Sequence, residues 1–112
     1  MKVVVAIIKP FKLSNVHNAL HAIGINGLTV YEAQGHGHEK GHSVVYGSVE
    51  YVAHYLKKLR VEVMVGDERV DEVIEAISAA ARTGQTGDGK IYVQDIAKLI
   101  RIRTGAHNEA AL

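Results

Sequence analysis

Apolar positions along this chain change period several times, and each change marks an element. From Lys2 to Lys9, Val3, Val5 and Ile7 alternate with Val4, Ala6 and Ile8. Both alternate sets are apolar, the pattern of a central strand buried on both faces. Pro10 ends it, and Leu13, Val16, Leu20 and Ile23 then take up a helical spacing, with Ser14 as a plausible cap and Gly24 as the stop. Leu28 to Gln34 alternates weakly and reads as a second strand, led in by Asn26-Gly27. Gly35 to His54 shows no clear period and holds Gly35, Gly37, Gly41 and Gly47 with His36, His38, His42 and His54. A loop of roughly twenty residues in a compact domain is usually functional or disordered.

Alternation returns at Lys58–Val65, where Leu59, Val61, Val63 and Val65 face away from Arg60, Glu62 and Met64. Asp67 reads as the cap of a second helix with Val70, Val73, Ile74 and Ile77 on its buried stripe, and Gly84 stops it. Ile91–Ile96 is a fourth strand, Leu99–Arg103 a candidate short fifth, and the small polar tail from Thr104 an expected mobile end. The order is β-α-β, long loop, β-α-β: one α+β domain over residues 1–112 with the ferredoxin-like, split βαββαβ arrangement. It predicts a four-stranded antiparallel sheet with both helices on one face. The first strand is apolar on both faces, so the sheet face without helices predicts a homo-oligomer in which sheets pack together.

Composition narrows the function. In 112 residues the net charge is +1, with no Trp and one Phe, which argues against general nucleic-acid binding. There is no cysteine, hence no disulfide framework. No apolar run reaches spanning length and no signal-peptide pattern is present, so the expected location is the cytoplasm. No nucleophile–base pair or paired catalytic carboxylates stand out, which argues against an enzyme.

The chemistry concentrates in Arg82-Thr83-Gly84-Gln85-Thr86-Gly87-Asp88-Gly89-Lys90. Glycines let main-chain N–H groups close on an anion, and a lysine adds a point charge suited to phosphate. Gly84 to Lys90 satisfies the spacing G-x-x-x-x-G-K, but Ile91 stands where a P-loop has Ser or Thr, and the loop runs helix to strand. A phosphate cradle of another design, or a glycine loop that binds nothing, both fit.

Several motifs together resemble the PII signal-transduction proteins, trimeric sensors of nitrogen and carbon status. Ala6-Ile7-Ile8-Lys9-Pro10-Phe11-Lys12 resembles the family's first-strand signature, and Thr29-Val30 with Gly35-His36-Gly37 leads into a stretch, about 36–54, similar to its T-loop. Within that stretch Lys40-Gly41-His42, Tyr46 and Glu50-Tyr51-Val52 match the family or are close to it. Residues 82–90 resemble its B-loop, and Arg101-Ile102-Arg103-Thr104-Gly105, before a tail of about 104–112, its C-terminal motif. The resemblance implies a homotrimer with ATP and ADP competing in clefts between subunits. Gly87, Asp88, Gly89 and Lys90 would hold phosphates from one subunit, with Arg101 and Arg103 reaching in from its neighbour. Ile7 and Met64 would line the base pocket, Thr29 would lie near adenine and Glu62 near ribose, and the implied set also takes in Gly35, Gly37, Arg82 and Thr83. The T-loop would dock on a target: an ammonium channel, another transporter or a metabolic enzyme, recruiting the protein to a membrane where the target is a transporter. Tyr51 falls where many bacterial relatives are nucleotidylated.

The departures cluster in the T-loop. His38, Glu39 and Gly47 replace residues that the family usually has as Arg or Lys, Gln and Arg. In relatives the glutamine helps hold the Mg²⁺ that bridges ATP and 2-oxoglutarate. Glu39 can ligate magnesium, but each like-charge contact at about 4 Å costs on the order of 4 kcal/mol at an effective dielectric near 20. Weakened binding of 2-oxoglutarate at Glu39, Lys40, Gly41 and Lys58 is therefore expected, with Lys58 retained to meet a carboxylate. Loss of the arginine at Gly47 argues against channel plugging, though not against channel contact. His36 and His38, with Glu39 and His42 nearby, could ligate a transition metal, and His17 and His21 form a separate i, i+4 pair. A metal-responsive regulator on the same fold is the alternative; solvated polar residues are the plainer account of both groups.

Overall fold

The first strand, β1 (Lys2–Ile8), lies in the middle of the sheet, as its two apolar faces require. The computed structural model describes residues 1–36 and 55–112 in full and, by backbone alone, 43–46 and 49–52. Chain order is β1, α1 (Leu13–Ala22), β2 (Thr29–Gly35), β3 (Ser43–Tyr46), β4 (Val49–Val52), β5 (Leu56–Val65), α2 (Val70–Ala81) and β6 (Lys90–Asp95). The main sheet has the order β2-β5-β1-β6 with every neighbouring pair antiparallel. Its registers include Val4↔Val63, Val4↔Val93 and Val30↔Val61. That is the ferredoxin-like α+β arrangement expected from the periodicity.

The core lies between one sheet face and the two helices. Val4, Ala6 and Ile8 of β1 and Val61, Val63 and Val65 of β5 form a buried cluster with Val16 and Leu20 of α1 and Val73, Ile77 and Ala81 of α2. Burying each of the larger side chains is worth roughly 1.5–3 kcal/mol. The predicted helical stripes are thus the buried ones, with Leu13, Ile23, Val70 and Ile74 packed at the margin. The other sheet face carries, by register, Val3, Val5 and Ile7; Thr29 and Tyr31; Arg60, Glu62 and Met64; and Lys90, Tyr92 and Gln94.

Several local expectations are corrected. Ser14 lies inside the first turn of α1: a 3₁₀ turn at Pro10–Lys12 precedes the helix, and Lys12 is its N-cap without a side-chain capping bond. Asp67 likewise opens a 3₁₀ turn, Asp67–Arg69, and α2 begins at Val70. The Asp67 carboxylate instead accepts from the Met1 ammonium at 2.7 Å, a cationic partner stronger than a main-chain N–H. Gly24 does stop α1: at φ +83° its N–H donates to the His21 carbonyl, while Ile25 N–H reaches Leu20, a Schellman closure.

The stretch 36–54 is not aperiodic throughout. Strands β3 and β4 pair antiparallel, Tyr46 opposite Val49 and Ser43 opposite Val52. Two β-branched and aromatic runs separated by Gly-Ser are a hairpin signal. Leu99–Arg103 is not a fifth strand; Ile100 makes a single bridge to His107, and Gly105 at φ +71° donates to the Arg101 carbonyl. The tail is seated as well. Asn108–Ala111 is a 3₁₀ turn, and Ala111 is buried because the chain folds back under Arg101.

Candidate functional site

The glycine loop begins where α2 ends. Arg82 leaves the helix in an extended conformation, and Gly84, Gly87 and Gly89 all take φ between +84° and +100°. The left-handed backbone explains why glycine recurs here. Asp88 is the hub that closes the loop. Its carboxylate accepts from Thr83 N–H at 2.8 Å, from Gly84 N–H at 2.9 Å and from the Thr83 hydroxyl. Lys9, just beyond β1, places Nζ 3.2 Å from the same carboxylate and 3.2 Å from Thr83 Oγ1. The Thr83 hydroxyl bond first, then its N–H and the Gly84 and Lys9 contacts, hold the Asp88 carboxyl well below the usual carboxylate range.

Gly89 lies directly against the backbone of β1. A Cβ there would stand 1.6 Å from the Ile7 carbonyl oxygen, so only glycine lets the loop lie on β1. Ile7 pairs directly with Lys90. Ile7, Arg82, Asp88, Gly89 and Lys90 line one cavity of about 370 Å³, walled by Ile74, Ile77 and Ile91. Lys58, which is buried, crosses from β5 to donate to the Gly87 carbonyl at 2.7 Å. Its Cγ lies 3.2 Å from where a Gly35 Cβ would be. Gly35, Lys58, Gly87, Gly89, Lys90 and Ile7 therefore gather at one end of the sheet.

A second group gathers elsewhere. Thr29 pairs directly with Glu62, and Met64 lies two residues along β5. Glu62 is held by Arg60, Nη2 to Oε1 at 2.8 Å, and accepts a longer bond from the Tyr31 hydroxyl at 3.4 Å. The Arg60 guanidinium also sits 5.8 Å from the Tyr31 ring centroid. Thr29, Glu62 and Met64 line a cavity of about 290 Å³ with Leu99, Ala111 and Leu112. Arg101 and Met64 line an adjoining one of about 620 Å³. Arg103 stands on the exposed turn beyond Arg101.

Within one chain the groups adjoin at Ile7 and Arg60, but their outer members lie apart. Ile7 pairs with Arg60, and Met64 is four residues further along that strand, about 14 Å away at a strand rise near 3.4 Å per residue. Ile7 and Met64 therefore cannot line one pocket in a single subunit. Lys9, Arg60 and Tyr31 are site neighbours that the sequence reading passed over. Arg60 and Glu62 carried a signal, being opposite charges at i, i+2 on one strand face. Lys9 carried none, because its partner is in a loop 79 residues away in sequence.

Of the histidines, His17 and His21 stack nearly parallel with ring centroids 6.4 Å apart, and His36 packs against Tyr55 at 5.7 Å. Among the described residues no group of three or more His, Cys, Asp or Glu could hold a metal ion. Gly37, His38, Glu39, Lys40, Gly41, His42, Gly47 and His54, and the side chain of Tyr51, lie outside the described residues. No helix among the described residues is long and apolar enough to cross a membrane.

Residues 1–106 match the family model described as Nitrogen regulatory protein P-II. The chain belongs to the P-II family. A P-II protein of Rhizobium etli is 54% identical over 112 residues, covering all of both chains. The nitrogen regulatory protein GlnK of Escherichia coli K12 is 52% identical, and its P-II 1 protein 48%, each again over the full length of both chains. This P-II chain is thereby a member of a family of signal-transduction proteins in nitrogen regulation, and the relatives it matches are named as regulators. The P-II match spans both clusters described above, from Ile7 through Arg103.

Proposed function

We propose that this P-II protein is a sensor of adenine nucleotides that acts on a target through residues 36–54. ATP or ADP would bind between subunits of a homotrimer, phosphates on the Arg82–Lys90 loop of one chain and the adenosine against Thr29, Glu62 and Met64 of another. The observation that carries this reading is the separation of the glycine-loop residues from Met64 and the cavity beside it, about 14 Å along the sheet between Ile7 and Met64. The glycine loop supplies main-chain donors and Lys90, and the other group supplies Thr29, Glu62 and Met64 with Arg101 beside them. A site of that kind is complete only when a second chain supplies the missing half. Arg101 and Arg103 add guanidinium groups suited to bidentate phosphate contacts. The Asp88 carboxylate is engaged by the loop itself, so the group this residue can offer a phosphate is its main-chain N–H.

Lys58 bears on the second ligand. Its ammonium already donates to the Gly87 carbonyl, so a 2-oxoglutarate carboxylate would meet a lysine tied to the phosphate loop. That bond takes one of three ammonium hydrogens and does not by itself bar a carboxylate; the extra negative charge of Glu39 is what supports a weakened response to 2-oxoglutarate. Mg²⁺ would enter with ATP, with Glu39 as its protein ligand. The target would be an ammonium channel, another transporter or a metabolic enzyme, with Tyr51 as a site of modification.

The test is calorimetric titration with ATP and with ADP, each with and without Mg²⁺ and 2-oxoglutarate, alongside sedimentation analysis. A trimer that binds both nucleotides, with little tightening of ATP by 2-oxoglutarate, is the expected result. A chain that binds neither nucleotide refutes the sensor reading, and strong tightening refutes the weakened response.

A further inference from the structure

We propose that the segment Asn108–Leu112 is an internal competitor for the nucleotide cleft, an inference that rests on the nucleotide-binding reading above. It occupies the adenosine end and holds Arg101 until a nucleotide displaces it.

The segment is fixed at both of its ends. At its start, Asn108 N–H donates to the Leu99 carbonyl at 2.7 Å, and the Asn108 side-chain oxygen accepts from Leu99 N–H at 3.2 Å. Asn108 sits at φ +53°, the left-handed conformation that asparagine tolerates far better than a β-branched residue. At its end, the Arg101 guanidinium donates to the Ala111 carbonyl from both Nε and Nη2 at 3.3 Å and to the Leu112 oxygen at 2.7 Å. Ala111 is buried.

This seat overlaps both halves of what a nucleotide would need from this end of the chain. Ala111 and Leu112 stand in the wall of the same cavity as Thr29, Glu62 and Met64. With them in place that cavity is about 290 Å³, at the bottom of the roughly 300–1,000 Å³ range of small-molecule pockets. The guanidinium that would meet a phosphate is bound to main-chain oxygens of the same two residues.

The contact is built to be displaced. Arg101 here meets the Ala111 carbonyl at 3.3 Å and one oxygen of Leu112 at 2.7 Å, whereas the phosphates of a nucleotide would offer it several anionic oxygens in bidentate geometry. The nucleotide then binds with its intrinsic affinity reduced by the fraction of molecules in which the segment is already released. Loosening the segment without touching Arg101, Thr29, Glu62 or Met64 therefore tightens nucleotide binding.

Two full-length variants test this. Asn108→Val disfavours the left-handed pivot and removes the acceptor for Leu99 N–H, and Ala111→Asp places a carboxylate where a buried methyl sits. Each is titrated with ATP and ADP by calorimetry beside the wild type, and hydrogen exchange at Leu99 and Asn108 is followed in the wild type with and without saturating ATP. The expected result is ATP affinity at least threefold tighter in both variants and faster exchange at the Asn108 N–H when ATP is bound. A wild type that binds while both variants bind equally or more weakly overturns the competitor alone. Unchanged or slower exchange at Asn108 under saturating ATP also overturns it. Failure of every protein to bind either nucleotide overturns the nucleotide reading and this inference with it.

Discussion

Two glycines and one aspartate in the same loop do different work. Gly89 has both a positive φ and the Ile7 carbonyl where a Cβ would go, while Gly84 has a positive φ and open space. Gly84→Ala should therefore cost about 1–2 kcal/mol, the left-handed term alone, and Gly89→Ala clearly more, because β6 must separate from β1 to admit the methyl. Urea denaturation of the two variants decides it; equal costs would mean that the Ile7 contact does not constrain the loop. Asp88 yields a pH prediction. Its carboxyl is depressed in the folded state, so its contribution to stability is fully present above the unfolded value of about 4. That contribution is lost as pH falls below 4 toward the lower folded value. Thermal unfolding of wild type and Asp88→Asn should converge between about pH 4 and pH 2, with the wild type more stable at pH 7. A constant difference across that window would remove Asp88 as the hub.

At the scale of elements, the helices owe their position to the sheet more than to their ends. Neither helix has a side-chain N-cap bond, and each is led in by a 3₁₀ turn. Ser14→Ala should accordingly change stability by no more than a few tenths of a kcal/mol, against about 1 kcal/mol for removal of a true cap. Ile77→Ala, in the fully buried stripe of α2, should cost about 2–5 kcal/mol. Chemical denaturation of the pair checks both; a large Ser14 effect would show a capping role in solution. The glycine loop inherits its place from this packing. It starts at the last turn of α2, and Ala81 of that turn belongs to the core.

For the whole molecule the open face of the sheet is decisive. Met64, Tyr92 and Tyr31 are between about one-third and one-half exposed, beside the ion-paired Arg60 and Glu62. An apolar face of this kind on a chain whose candidate residues divide into two half-sites fits self-association. In the proposed homotrimer, Tyr92→Asp should shift the sedimentation profile toward smaller species at micromolar concentration. An unchanged trimer would place the interface elsewhere.

The sequence by itself determined the sheet and the two helices, because periods of two and 3.6 are local and Val4, Ala6, Val61, Val63, Val73 and Ile77 repeat them clearly; the family was legible in its motifs, such as Ala6–Lys12 and Arg101–Gly105. It also marked the glycine loop, since positive φ leaves a trace in residue type. The hairpin of β3 and β4 was written in the runs around Gly47-Ser48 but was masked by the glycines and histidines on either side. Tertiary structure alone decided the partners. Lys9 meets Asp88, Asp67 meets Met1, Lys58 meets Gly87, and Arg101 turns back on Ala111 and Leu112. A charge carries no label of its partner in the chain, because Coulomb attraction depends on distance in space, and only the folded sheet sets those distances. The same limit applies to the site. The family resemblance named its candidate residues, but the strand register alone set Ile7 and Met64 about 14 Å apart within one chain.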